Sequence, residues 1–187
     1  MSSRAVVPET LDSLVREVAK TPMGSITRVS QTGYAVTAWH DLFMAAFRPR
    51  LAEYDYSDLD LWLSAFAREQ PGKFGYLAIV EPGVGPGRRA SKRQLEEALF
   101  KHNNRFRFAA IVLEDTGFKG AAVRGVLSMF GILSGKCHPE SFHPDVGAAA
   151  RWMHTIYSRT EGLKPTLEEI VAAISDFKSE YPRILAA

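Results

Sequence analysis

The residues of this chain best placed to do chemistry lie in one stretch, Glu81-Pro82-Gly83-Val84-Gly85-Pro86-Gly87-Arg88-Arg89, followed at once by Ser91, Lys92 and Arg93. Ser91 with Gln94 three residues on has the spacing of a capping box, so a helix is expected to begin there, with four cations crowded at its N-terminus. Cations at that end oppose the helix macrodipole by roughly 0.3–1 kcal/mol each near an exposed terminus, so the fold alone gains nothing from them. An anion reverses the sign. Free N–H groups at a helix start, glycines that permit close approach and nearby arginines are the ingredients of a phosphate or carboxylate site. Gly83, Gly85, Gly87, Arg88, Arg89, Ser91, Lys92 and Arg93 are therefore the candidate ligand or partner site. The spacing is neither a P-loop nor a dinucleotide fingerprint: the Lys-Ser/Thr pair is missing and Arg88 stands where the third glycine would be. Gly/Pro clusters also mark solvated loops more often than ligand cradles. No cofactor is expected.

A second set, His40, Asp41, Glu81, Glu114 and Asp115, is expected at strand ends, where carboxylates and a histidine are suited to metal-assisted hydrolysis or acid–base work. Asp and Glu after a strand are more often helix caps, and these spacings match no metal signature. His138-Pro139-Glu140-Ser141-Phe142-His143-Pro144, beside Cys137, reads as a surface bend with a short edge strand rather than as a metal site. There is no Gly-x-Ser-x-Gly elbow, and Cys137 has no evident helix N-terminus to lower its pKa, so nucleophilic catalysis is disfavoured. Lys101, His102, Arg105 and Arg107 fall at the far end of the helix that Ser91 opens and at the start of the next strand, where positive charge suits the dipole. Together with the loop they make one face basic, while Glu53, Asp55, Asp58 and Asp60 make another region acidic. Such complementary patches permit self-association as a homodimer.

The elements that must position these groups follow from hydrophobic periodicity. Residues 9–20 carry a helical stripe that Pro22 and Gly24 end. Ile26–Val29 and Tyr34–Trp39 read as an antiparallel hairpin across Ser30-Gln31-Thr32-Gly33. Leu42 to Glu69 is expected to be helical in two pieces, broken near Tyr54-Asp55-Tyr56, with Ser57 capping the second. Phe74–Val80 and Phe108–Leu113 are nearly continuous apolar runs, the mark of parallel strands covered on both faces. A glycine-containing helix over 117–134 follows; Phe118, Val123, Leu127 and Phe130 would line a pocket between it and the sheet, suited to a lipophilic or anionic small molecule. Glu140–His143 is an edge strand, Val146 to Tyr157 a helix, and Thr166 with Glu169 a capping box that opens a last helix over 165–184. The expected fold class is α/β, a mixed central sheet of about five strands, hairpin plus parallel strands, with packed helices.

A length of 187 residues fits one domain over 1–187, with a core over 24–158 and terminal helices added. With 46% hydrophobic and 24% charged residues the composition is that of a globular chain, not a disordered one. The 23 basic and 21 acidic residues leave a net +2, too even to imply nucleic-acid binding. Apolar runs fall far short of the roughly 18 residues that membrane insertion needs. The single cysteine excludes an internal disulfide and fits a cytoplasmic location.

This order of elements resembles the STAS fold of anti-sigma-factor antagonists. Ser141-Phe142-His143 followed by Ala148-Ala149-Ala150-Arg151-Trp152-Met153 is similar to the last strand and helix of SpoIIAA-like (STAS/Sec14-type) bacterial proteins, where an aromatic strand residue precedes an Ala-rich helix with a Trp. The resemblance implies a non-enzymatic regulatory module that binds a protein partner or a lipophilic ligand. In signalling members an Asp precedes a phosphorylated Ser or Thr at the start of the helix after the third strand; that place falls here on Arg88-Arg89-Ala90-Ser91, where Ser91 has no preceding Asp.

Overall fold

The structure, a computed structural model, describes residues 26–29, 34–48, 56–82, 84, 89–114 and 138–185; the helices expected over 9–20 and 117–134 lie outside them. Three strands open the fold: β1 (Ile26–Val29), β2 (Tyr34–Trp39) and β3 (Leu42–Phe47), each antiparallel to the one before. Three more follow, β4 (Phe74–Val80), β5 (Phe106–Leu113) and β6 (Glu140–His143), all parallel to β3. Among the described residues these strands form one six-stranded sheet whose order is the chain order, β1 to β6. Helices α1 (Ser57–Glu69) and α2 (Arg89–Lys101) connect β3 to β4 and β4 to β5, and α3 (Val146–Arg159) and α4 (Leu167–Leu185) follow β6.

β3 corrects the expectation of a helix from Leu42. Leu, Met and Ala favour helices, but six apolar residues are too few for a stable one, and this run is buried along its whole length between β2 and β4. His40-Asp41 makes the two-residue turn that folds it onto β2, pairing Trp39 with Leu42. Among the described residues the sheet therefore has six strands, and the neighbouring parallel pair β4 and β5 is as the sequence predicts.

Two apolar layers form because alternate strand residues face opposite sides. Leu59, Leu63 and Phe66 of α1 and Leu95 and Leu99 of α2 pack with Tyr34, Phe43, Phe47, Phe74, Tyr76 and Phe106. On the other side Ala149, Ala150, Met153 and Tyr157 of α3 and Ile170, Ile174 and Phe177 of α4 pack with Leu42, Met44, Leu77, Ile79 and Phe108. Phe106 and Phe108 lie two apart yet on opposite faces, because Phe74 pairs with Phe106 while Gly75 pairs with Phe108, so Arg107 is a bulge residue. Phe106 meets Phe74 edge-on at 5.4 Å, and Phe108 meets Tyr157 edge-on at 5.3 Å.

Helix starts are the other correction. Tyr56, not Ser57, is the N-cap of α1 and makes no side-chain cap bond, and α2 begins at Arg89, so Ser91 is its third residue rather than its cap. The α4 capping box is as expected: Glu169 N–H donates to Thr166 Oγ1 at 3.2 Å, and Thr166 N–H donates to Glu169 Oε2 at 2.8 Å. Replacing Thr166 by Ala is expected to lower stability by about 1 kcal/mol, read as a shift in the urea midpoint with unchanged slope.

Candidate functional site

In an open parallel sheet the carboxyl ends of the strands are the usual place for a site, at a point where strand order reverses. Among the described residues the order does not reverse, α1 and α2 lie on the same face, and their topology builds no switch-point crevice. Glu81 and Glu114 do stand side by side at this edge: Glu81 N–H donates to Phe47 O at 2.9 Å and Glu114 N–H to Val80 O at 3.0 Å. Each carboxylate is held by a cation from a neighbouring element. Arg48 Nε donates to Glu81 Oε1 at 2.7 Å, and Lys178 of α4 donates to Glu114. His143, at the end of β6, is buried against Trp152 with ring centroids 5.3 Å apart. Burial lowers its pKa, opposed by the charge of Asp145.

His40 and Asp41 stand at the other end of the sheet, separated from Glu81 by the length of β4, about 20 Å at the usual rise per residue. The set expected for metal-assisted hydrolysis is thus split between opposite edges, with Asp115 outside the described residues. Among the described residues no three His, Cys, Asp or Glu side chains gather as metal ligands would.

At this amino edge the turn, the bulge and α3 are stitched together. Arg107 donates from one nitrogen to Asp41 Oδ2 at 2.5 Å and from another to the Lys73 carbonyl at 3.0 Å. Tyr157 Oη donates to Asp41 Oδ1 at 2.9 Å, and the guanidinium lies 5.5 Å from the Tyr157 ring centroid. The Asp41 carbonyl accepts from Gly75 N–H at 2.7 Å. Burial, then the Asp41 charge and hydrogen bond, push the Tyr157 phenol well above its ordinary value, so it remains a donor. The bulge supplies the geometry: it frees Arg107 from the alternation of β5 and turns it toward Asp41. Sequence reasoning missed this network, since its members are 66 and 116 residues apart and carry no local signature. His40 is exposed, with φ of 52° and its ring 4.7 Å from that of Trp39.

A third polar cluster joins α1 to α2. Lys101 Nζ donates to Asp60 Oδ2 at 2.8 Å and to Ser64 Oγ at 3.3 Å, and Ser64 Oγ donates to Asp60 Oδ1 at 3.3 Å. His102 Nε2 lies 3.2 Å from Ser64 Oγ and 3.4 Å from Asp60 Oδ1. The three residue types of a hydrolytic triad meet here, but not in its geometry: a triad histidine addresses serine and carboxylate with different nitrogens, whereas both groups face Nε2. An acid and a base of the two expected patches, Asp60 and Lys101, are joined within one chain, which leaves less of that complementarity for self-association. Arg105 caps α1, donating to the carbonyls of Ala67 and Gln70 at 2.9 Å and of Gly72 at 3.2 Å.

Of the candidate site residues, Gly83, Gly85, Gly87 and Arg88 lie outside the described residues. Arg89, Ser91 and Lys92 belong to the first turn of α2, which contains no acidic residue. Arg93 is exposed and pairs with Glu97 one turn on, Nε to Oε1, at 2.7 Å. The loop leading in is tethered at its start, where Val84 is buried and its N–H donates to the Glu81 carbonyl at 3.3 Å. No protein-family model, curated protein or solved structure matches the chain.

Proposed function

We propose that the chain is a non-enzymatic, STAS-like interaction module of a cytoplasmic regulatory system, and that residues 83–93 form its contact surface. The observation that carries this reading is the start of α2: a 13-residue helix that opens on Arg89, Lys92 and Arg93 with no acidic residue in its first turn. That arrangement opposes the dipole unless an anionic surface lies against it. Two further features support it. The order behind the STAS likeness is hairpin, helix, strand, helix, strand, helix, short strand, helix; the described elements follow it with β3 added to the hairpin, and the helix expected over 117–134 lies outside the described residues. Among the described residues the strand-end carboxylates Glu81, Glu114 and Asp41 form ion pairs with Arg48, Lys178 and Arg107.

The test is affinity capture of the full chain from its own cells at about 50 and 300 mM salt, comparing the wild type with an Arg88→Ala, Arg89→Ala double variant. Removing surface cations acts mainly on association rate and salt dependence. A co-purifying protein is expected with the wild type, less at the higher salt, and it is expected to be largely lost from the variant. Equal recovery with both chains would remove the loop from the contact surface.

A further inference from the structure

We infer that His102 makes the seam between α1 and α2 a proton-sensitive joint, at which uptake of one proton loosens α2 from α1. The inference stands on the seam alone and does not require the interaction reading.

Polar ties join the two helices at both ends. At one end Tyr56 N–H donates to Gln94 Oε1 at 3.2 Å; at the other, Asp60 and Ser64 of α1 meet Lys101 and His102. Asp60 is the hub of the second tie. A carboxylate is acceptor only, so the proton of the neutral imidazole sits on Nε2, shared between Ser64 Oγ and Asp60 Oδ1. Lys101 already balances the one negative charge at 2.8 Å. An imidazolium here would add a second cation beside Lys101, with Arg105 a third from the turn that follows, against a single carboxylate. His138, whose Nδ1 lies 3.2 Å from the Asn103 carbonyl, is a further titratable group near that turn. The His102 side chain is 9% exposed, so little water is available to stabilise the added charge.

The balance of these forces agrees with the geometry. Burial depresses the His102 pKa, Asp60 raises it by hydrogen bond and charge, Lys101 and Arg105 lower it again, and the net shift is downward from 6.5. Burial works to raise the Asp60 carboxyl, but the hydrogen bonds and charges of Lys101 and His102 hold it below its ordinary value. For a histidine with a lowered folded pKa, the unfolded or opened form binds the proton better. The stabilisation is therefore complete above the unfolded pKa and is lost as pH falls below about 6.5. His143 is depressed in the same direction, so global stability shares this sign. Only a local measurement isolates the seam.

That measurement is hydrogen exchange of the full-length wild type between pH 7.5 and 5.5, corrected for the intrinsic rate of each amide. Protection of the C-terminal half of α2 is expected to fall by about threefold or more over this range while that of α4 changes less. A His102→Gln variant, which keeps an amide donor but does not titrate, is expected to lose the α2-specific dependence. Unchanged α2 protection in the wild type, or the same dependence in the variant, would overturn the inference. Should the variant not fold, the His102 ring is titrated by NMR in the wild type: a midpoint at or above 6.5 would overturn it equally, and one below it would support it.

Discussion

Arg107→Ala is expected to destabilise the protein by about 3 kcal/mol, the largest single effect anticipated for a polar residue of this fold. The Asp41 and Arg107 side chains are only 15% and 17% exposed, so removing the guanidinium strands a carboxylate whose remaining donor among the described residues is Tyr157. The Lys73 carbonyl loses its donor as well. Arg107→Lys is expected to recover little: one ammonium lacks the planar fork that reaches Asp41 and the Lys73 carbonyl together while lying against the Tyr157 ring. Adding Asp41→Asn to Arg107→Ala removes the stranded charge, so the double variant is expected to be more stable than the sum of the singles implies, by at least about 1 kcal/mol in urea unfolding. Additive losses would mean that the pair contributes nothing as a pair.

Gly75→Ala is expected to cost about 2–3 kcal/mol, at the upper end for added core volume. A Cβ on Gly75 would lie 2.4 Å from Phe108 Cζ, 2.8 Å from Cε2 and 3.0 Å from Leu42 Cδ1. The Phe108 ring has little room to retreat, because Trp152 and Tyr157 meet it edge-on at 5.8 and 5.3 Å. Leucine at position 108 is shorter where the clash falls, and alanine at position 75 fills part of the space that leucine leaves. The pair Gly75→Ala, Phe108→Leu is therefore expected to be more stable than Gly75→Ala alone. A double variant weaker than both singles would show that the glycine is required for some reason other than the ring above it.

These two contacts also show what one chain's residue order can and does not reveal. Phe74–Val80 announces a strand buried on both faces, and Thr166 with Glu169 announces a helix start, because in each case the signal lies within a few neighbouring residues. Leu42–Phe47 misleads, since its Leu, Met and Ala favour a helix and only pairing with Tyr34–Trp39 and Phe74–Val80 makes it a strand. The bulge at Arg107 is hidden more deeply: aromatic, Arg, aromatic is the alternation of a regular strand, yet here the two rings go to opposite faces. Of the candidate site, the crowd of cations before and within the first turn of α2 is plain in the sequence, because its meaning depends only on position relative to one helix end. The splitting of His40 and Asp41 from Glu81 and Glu114 is not, because it depends on which end of a parallel strand each residue occupies.

The most direct test of an interaction module without chemistry of its own is native mass spectrometry of the full chain purified from its host. The expected spectrum contains a complex with a second protein or a homodimer, dissociating in the Arg88→Ala, Arg89→Ala variant, and no added small-molecule mass. A monomer that retains a stoichiometric small molecule in both chains would contradict it and make the protein a ligand carrier instead.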